Sequence, residues 1–141
     1  MECSVVEEAS ACPQPEGMLI LRTLAMPADT NENGDIFGGW IMAQMDIAGA
    51  ILSKQITRSR TVTVAVESMK FIRPVQVGDV VSCYGSVAHI GTTSLTLIVD
   101  VWVETVPHSE AELCPSFKVT EARLTYVAVD DKGKKVVFDK D

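Results

Sequence analysis

The stretch that decides the fold runs NGDIFGGWIMAQMDIAGA over residues 33–50. A polar loop ends in the paired glycines Gly38 and Gly39, and a proline-free segment with helix-forming content follows over 41–56. Its strongest apolar stripe has helical spacing, which predicts a face packed on a core, and consists of Ile41, Met45, Ala48 and Leu52. The opposite face is apolar too, so we expect a curved sheet on one side of the helix and a partner subunit on the other; this face carries Ala43, Ile47 and Ala50.

On either side of this helix the apolar period changes to two, which is typical of strands. One strand is predicted before the helix, at 18–26, and four after it, at 61–73, 80–90, 95–104 and 117–129. The DDKG sequence at 130–133 predicts a turn. One helix among five mostly antiparallel strands predicts an α+β layout.

Composition narrows the function classes. The chain has 141 residues, 47% of them hydrophobic, and a net charge of −7. This length predicts one globular domain, and the negative charge argues against nucleic acid as a partner. We expect a flexible tail at 1–16, the domain at 17–132 and a short segment at 133–141. The acidic start lacks an apolar run and no stretch is long enough to span a membrane, so we expect a cytoplasmic protein without a membrane partner.

The cysteines show no metal-binding pattern. No pair has C-x-x-C spacing, and neither His89 nor His108 shares a motif with a cysteine. We therefore expect no metal site and, for a cytoplasmic protein of this size, four reduced thiols, which are Cys3, Cys12, Cys83 and Cys114.

The loop at 29–40, DTNENGDIFGGW, resembles the start of a calcium loop. An EF-hand loop requires a bidentate glutamate at its twelfth position, and often a further oxygen ligand at its ninth. Those positions are Trp40 and Phe37, and a proline-ended strand precedes the loop in place of a helix. The sequence therefore favours a turn that leads into the helix.

That turn has a chemical reading. Glycines at a helix start let a ligand approach the backbone, where the first amides lack intrahelical partners and suit an oxyanion. Asp46 lies about two turns further on, among apolar residues, where a carboxylate requires partners or a cavity. Together they indicate acyl transfer, with Asp46 as general base or nucleophile. The alternatives are glycines that serve packing alone and a structural, hydrogen-bonded aspartate.

Other catalytic patterns are missing from the chain. There is no G-x-S-x-G elbow, no phosphate-binding loop and no dinucleotide fingerprint. Cys83 falls inside a predicted strand and has no histidine in its motif.

Three segments, at 33–50, 62–85 and 91–104, together resemble the hotdog-fold acyl-CoA thioesterases, and more narrowly the bacterial YciA-type acyl-CoA hydrolases. The resemblance covers about residues 17–130. It implies a long helix wrapped by an antiparallel sheet, and hydrolysis of acyl-CoA to a free acid and CoA without a metal or bound cofactor.

The resemblance also implies a site. The family's carboxylate falls on Asp46 and its carbonyl-binding amides on Gly38 and Gly39. The site lies at a homodimer interface, and relatives assemble further as trimers of dimers. Substrate or CoA contacts are implied at Asn31, Asp35, Phe37, Trp40, Ser68, Lys70, Arg73, Gly91, Thr92, Thr93 and Ser94. Lys70 and Arg73 would meet CoA phosphates, or else be solvated charges at a strand end.

Asp35 departs from the family pattern, because many relatives carry asparagine there. An ionised aspartate cannot donate a hydrogen bond to a carbonyl, which leaves water orientation or helix capping as its expected role. Two rival functions remain: a non-catalytic acyl-CoA-binding hotdog protein, and a hydratase. The hydratase is disfavoured because no histidine follows Asp46 on the helix.

Overall fold

The computed structural model describes residues 12–67, 69–105 and 114–139. Five strands and one long helix make up the domain, which confirms the predicted α+β layout. Their bounds are β1 Met18–Leu24, α1 Gly38–Thr57, β2 Arg60–Glu67, β3 Val80–Ile90, β4 Ser94–Glu104 and β5 Ser116–Val129. Within these described ranges, no helix has the length and apolar character to span a membrane.

The strands form one antiparallel sheet in the order β1-β3-β4-β5-β2. Alternate residues of β4 and β5 face α1 and are almost fully buried, as the period-two pattern predicts: Leu95, Leu97, Val99, Val101, Val103, Ala122, Leu124, Tyr126 and Ala128. β2 is an edge strand, and its side chains Val62, Val64 and Val66 are about half exposed.

α1 has two unequal faces. The predicted stripe is buried against the sheet, at Ile41, Met45, Ala48 and Leu52. On the other side Ile47 remains 48% exposed, and Ile51 is partly exposed as well. The helix ends at Arg58, which adopts the left-handed conformation and donates its amide to the carbonyl of Lys54. One apolar side of α1 is therefore left uncovered by the described residues.

β2 is shorter than the sequence predicts. It ends at Glu67, whereas the alternating pattern suggested a strand as far as Arg73. Further along, residues 70–72 lie beside β5, where the Ile72 amide donates to the Val119 carbonyl, 2.8 Å away. The apolar residues after Glu67 thus belong to a loop, and Phe71 packs beside the start of α1.

The expectation of four reduced thiols is wrong. Cys12 and Cys114 form a disulfide, with their Cα atoms 5.7 Å apart although 102 positions separate them in the sequence. The N-terminal segment folds back beside the start of β5, a proximity that no local spacing of cysteines encodes. Cys83 is a free, buried thiol, and burial raises its pKa to about 12, which makes it unreactive.

The C-terminal end adds to the core. The predicted DDKG turn is present, with Gly133 at φ 82° and the Asp130 carboxylate accepting hydrogen bonds from the Lys132 and Lys134 amides. The chain then runs beside β5, and Phe138 packs into the core at 5% exposure.

Candidate active site

α1 begins without a side-chain cap. Phe37 is the residue before the first turn, no described side chain caps it, and its own amide donates to the Asp29 carbonyl. The amides of Gly38 and Gly39 are the first of the helix and lie at the positive end of its dipole. An alanine Cβ at Gly39 would meet nothing within 4 Å. A ligand atom therefore has room to reach these amides.

The loop before α1 is held by its own hydrogen bonds. The Asn31 side-chain oxygen accepts from the amides of Asn33 and Asp35 at 2.9 and 3.1 Å, and Gly34 takes φ 81° to close the turn. The Asp35 carboxylate accepts from the Gln76 amide at 2.8 Å. Capping by Asp35, one of its two expected roles, is therefore wrong. Across the described ranges, no group of three or more metal-ligating side chains comes together.

Four of the predicted site residues line one groove of about 330 Å³ at the start of α1: Asn31, Asp35, Gly38 and Arg73. The Arg73 guanidinium lies over the Phe117 ring, 4.2 Å from its centre, a cation–π contact that orients its charge. Trp40 is partly buried and packs on the core, whereas Phe37 is half exposed. Lys70 is exposed, and Ser68 lies outside the described residues.

Asp46 lies away from this groove, on the side of α1 that faces strands β2 and β5. Its Oδ1 accepts a hydrogen bond from the Thr63 hydroxyl at 2.7 Å and another from the Tyr126 hydroxyl at 2.8 Å. Thr63 on β2 and Tyr126 on β5 are directly opposite each other in the sheet. A register irregularity in β2 follows Thr63 immediately, as is common beside active sites.

The ring of Tyr126 fits beneath α1 only because position 49 has no side chain. A Cβ on Gly49 would lie 2.1 Å from the Tyr126 hydroxyl and 2.7 Å from the ring carbon that bears it. Burial, and then the hydrogen bond to the Asp46 carboxylate, raise the pKa of Tyr126 far above its usual value. The hydroxyl therefore stays protonated and acts as a donor.

The predicted hairpin contacts lie at the end of the sheet that carries Tyr126. The chain turns between β3 and β4 at residues 91–94, where the Gly91 amide donates to the Ser94 carbonyl at 2.7 Å and the Thr93 carbonyl accepts from the Ala128 amide. Leu95, directly after the turn, pairs with Tyr126. This hairpin thus flanks the row of the sheet that holds the Asp46 carboxylate.

Within one chain these features form two separate clusters. Gly38 and Gly39 precede Asp46 by eight and seven helical positions, about 10–12 Å along the axis. Along β5, the Val119 end by the groove and the Tyr126 end by the carboxylate are about 23 Å apart. A reacting carbonyl lies about 3 Å from the attacking atom and from its oxyanion donors. The separation of the glycine amides from the Asp46 carboxylate within one chain exceeds the reach of a directly attacking carboxylate.

Sequence reasoning missed Thr63, Tyr126 and Gly49 as parts of the carboxylate's setting. Tyr126 lies within the strand predicted at 117–129, where the alternating pattern indicates only which residues face the core. A signal existed, because a tyrosine among small apolar residues on a buried strand face usually requires a hydrogen-bond partner. Choosing Asp46 as that partner needs the pairing of β2 with β5 and the helix position above them.

A second cavity, of about 520 Å³, lies on the face of the sheet opposite α1. Asp100 and Trp102 of β4 line it, and each has a buried polar atom without a partner among the described residues. Burial raises the pKa of Asp100 to about 6, against the opposing effect of the Lys118 charge 3.9 Å away. Lys118 also pairs with Glu121. None of the residues around Asp46 contributes to this cavity.

Comparison with known proteins agrees with this architecture. The family model of the thioesterase superfamily matches residues 33–107. The acyl-CoA thioester hydrolase YciA of Escherichia coli strain K12 is 58% identical over 120 residues, which cover 85% of this chain and 89% of that protein.

Two solved structures have the same shape. The crystal structure of a hexameric broad specificity acyl-coenzyme A thioesterase has a TM-score of 0.83 and 54% identity, covering 92% of this chain and 86% of that one. A hexameric hotdog fold thioesterase of Campylobacter jejuni has a TM-score of 0.81 and 41% identity, covering 87% and 91%. Since the family model spans more than half of the sequence and these relatives nearly all of it, the chain belongs to the thioesterase superfamily and has the hotdog fold.

Proposed function

We propose that this protein hydrolyses acyl-CoA thioesters to a free acid and CoA. The observation that carries the proposal is Asp46, a carboxylate on a largely apolar helix that two hydroxyls hold in place. A carboxylate so placed is available for water activation or for attack on an acyl group. The relatives named above are acyl-CoA thioester hydrolases and thioesterases, which favours turnover over mere binding.

Two routes are open to this carboxylate. As a general base, Asp46 takes a proton from water as the water oxygen adds to the thioester carbonyl; the carbon–sulfur bond then breaks, and CoA leaves as the thiol after regaining that proton. As a nucleophile, Asp46 displaces the CoA thiolate and forms a mixed anhydride, which water then cleaves. In both routes, negative charge develops on the carbonyl oxygen. We assign its stabilisation to the Gly38 and Gly39 amides.

The separation of the two clusters supports a homodimer. A two-fold axis that sets α1 of one copy beside α1 of another can place the amides of one chain near the Asp46 of its partner, and makes two such sites at once. The uncovered apolar side of α1 and the free edge of β2 suit that contact, because both leave apolar side chains half exposed. Three such dimers would give the hexamer found in solved relatives.

CoA would then lie across the dimer interface. Arg73 and Lys70 supply positive charge for its phosphates from the groove end of one chain. The hairpin at 91–94 lies at the Tyr126 end of the sheet, where it would offer backbone and hydroxyl groups to the pantetheine arm. Arg73 is already oriented by Phe117, so its charge is less free to seek other partners.

The test is release of CoA, followed with a thiol reagent over acyl chains from acetyl to palmitoyl, for wild type and Asp46→Asn. We expect wild-type turnover and a loss of about 10²–10⁴-fold in the variant, the usual contribution of a general base, with CoA binding retained. Wild-type protein that binds CoA saturably but hydrolyses no chain length would instead show a binding protein.

A further inference from the structure

The two oxygens of the Asp46 carboxylate are not equivalent. Oδ1 receives hydrogen bonds from both Thr63 and Tyr126, at 2.7 and 2.8 Å. No hydrogen bond from the described residues reaches Oδ2. When one oxygen of a carboxylate is fixed by hydrogen bonds, the other oxygen has a single orientation. A carboxylate without such bonds can rotate, and its two oxygens then exchange places.

Tyr126 contributes more than the burial of a ring. Its hydroxyl also lies 3.0 Å from the backbone carbonyl of Asp46, and that contact alone would satisfy a buried donor. The same hydroxyl nevertheless reaches Oδ1, so it contacts the backbone and the side chain of one residue. This two-point contact restrains the rotation of the Asp46 side chain relative to the helix.

The helix is shaped to admit this contact. Gly49 lies one turn after Asp46, and any side chain there would overlap the Tyr126 hydroxyl. Glycine inside a helix is destabilising relative to alanine. At position 49 the glycine makes room for the contact between Tyr126 and Asp46. The neighbouring positions 48 and 50, which do not face this contact, are alanines.

We infer that Tyr126 is a positioning residue for hydrolysis: together with Thr63 it anchors Oδ1 of Asp46 and leaves Oδ2 as the oxygen that meets water or the acyl carbon. The inference rests on the proposed thioesterase function. It assigns no proton transfer to Tyr126, which remains a neutral donor throughout. Its effect on the reaction passes entirely through the orientation of Asp46.

The test is Tyr126→Phe, which removes one oxygen and keeps the ring. We expect kcat for a short acyl-CoA to fall about 10- to 100-fold, the range expected when a catalytic group is displaced by a fraction of an ångström to about 1 Å. KM and CoA binding should stay near their wild-type values, while the melting temperature should fall by no more than the loss of one buried hydrogen bond explains. Tyr84→Phe is the matched control, because that hydroxyl accepts from Arg22 on β1 and removing it should leave kcat unchanged.

A double variant tests whether Tyr126 and Thr63 act on the same oxygen. Since both anchor Oδ1, the loss of kcat in Tyr126→Phe/Thr63→Val should be smaller than the product of the two single losses. Independent, multiplicative losses would contradict a shared anchor.

The remaining outcomes separate the inference from the function on which it rests. Full turnover by Tyr126→Phe, in an enzyme that Asp46→Asn inactivates, would overturn the positioning role and leave the proposed function intact. A lower kcat accompanied by a raised KM and weaker CoA binding would assign Tyr126 to packing and overturn the role as well. No wild-type turnover on any acyl-CoA would refute both.

Discussion

Replacing Gly49 with alanine tests the geometry around Asp46 through stability and activity at once. The new Cβ would lie 2.1 Å from the Tyr126 hydroxyl and within 2.8 Å of two ring carbons. Ordinary contact begins near 3.5 Å, so the ring must retreat by about 1 Å or more. Tyr126 is fully buried on β5 and has no open space to enter. Moving away from α1 also lengthens the 2.8 Å hydrogen bond to Asp46 beyond useful range.

The size of the effect follows from three contributions. Overpacking of a core typically costs about 1–3 kcal/mol, and loss of a hydrogen bond to a charged group about 1.5–3 kcal/mol. Alanine returns about 1 kcal/mol through its better helix propensity. We expect the free energy of unfolding to fall by about 2–4 kcal/mol, and kcat to fall as in Tyr126→Phe.

Urea unfolding and CoA-release kinetics, at matched protein concentration, measure both effects. Gly39→Ala is the control for stability, because its Cβ would meet nothing within 4 Å and should leave the unfolding midpoint unchanged or raised. A Gly49→Ala protein as stable and as active as wild type would refute the close packing of Tyr126 beneath α1.

Two further predictions concern other parts of the molecule. The pKa of Asp100 rises from 3.8 to about 6 on folding, so between pH 4 and 6 the folded chain holds a proton that the unfolded chain has lost, and stability from this group declines as the pH rises. Asp100→Asn should therefore raise the melting temperature at pH 7.5 more than at pH 4, and equal shifts at both values would contradict the cause assigned to this pKa. The Cys12–Cys114 disulfide removes two of the four cysteines from the thiol count. Thiol titration of the denatured, unreduced protein should therefore count at most two groups, and a count of four would show that the bond is not formed.

Much of the fold could be predicted from local sequence patterns. The apolar stripe of α1 and the alternation in β4 and β5 predicted which residues meet in the core, because helix and strand periods alone set those faces. The end of β2 was misjudged because apolar residues such as Phe71 and Ile72 also suit a loop that packs beside β5 and the start of α1. The disulfide was missed because chain reversal over a hundred residues brings its cysteines together.

The site, too, could be predicted only in part from the sequence. Asp46 was visible because a carboxylate among apolar helix residues needs a reason to be there. Its partners were not, because Thr63 and Tyr126 meet only through the register between β2 and β5. The distance between the glycine amides and Asp46 follows from the helix rise and could have been calculated from the sequence. Its use as an argument for a dimer required the positions of both groups in the fold.

The close fit of Gly49 and Tyr126 links two positions that lie 77 apart in the sequence. In a lineage that loses the tyrosine hydroxyl, position 49 comes under weaker selection to remain glycine, since the shortest of its overlaps disappears. In a lineage that keeps the hydrogen bond from the tyrosine hydroxyl to the carboxylate, a substitution at position 49 or at position 126 alone would break the fit between them. The pair thus provides a signature for sorting distant hotdog sequences: those that retain both residues beside the helix aspartate preserve the means of aiming it, and those that have lost both are the ones to examine for ligand binding without turnover.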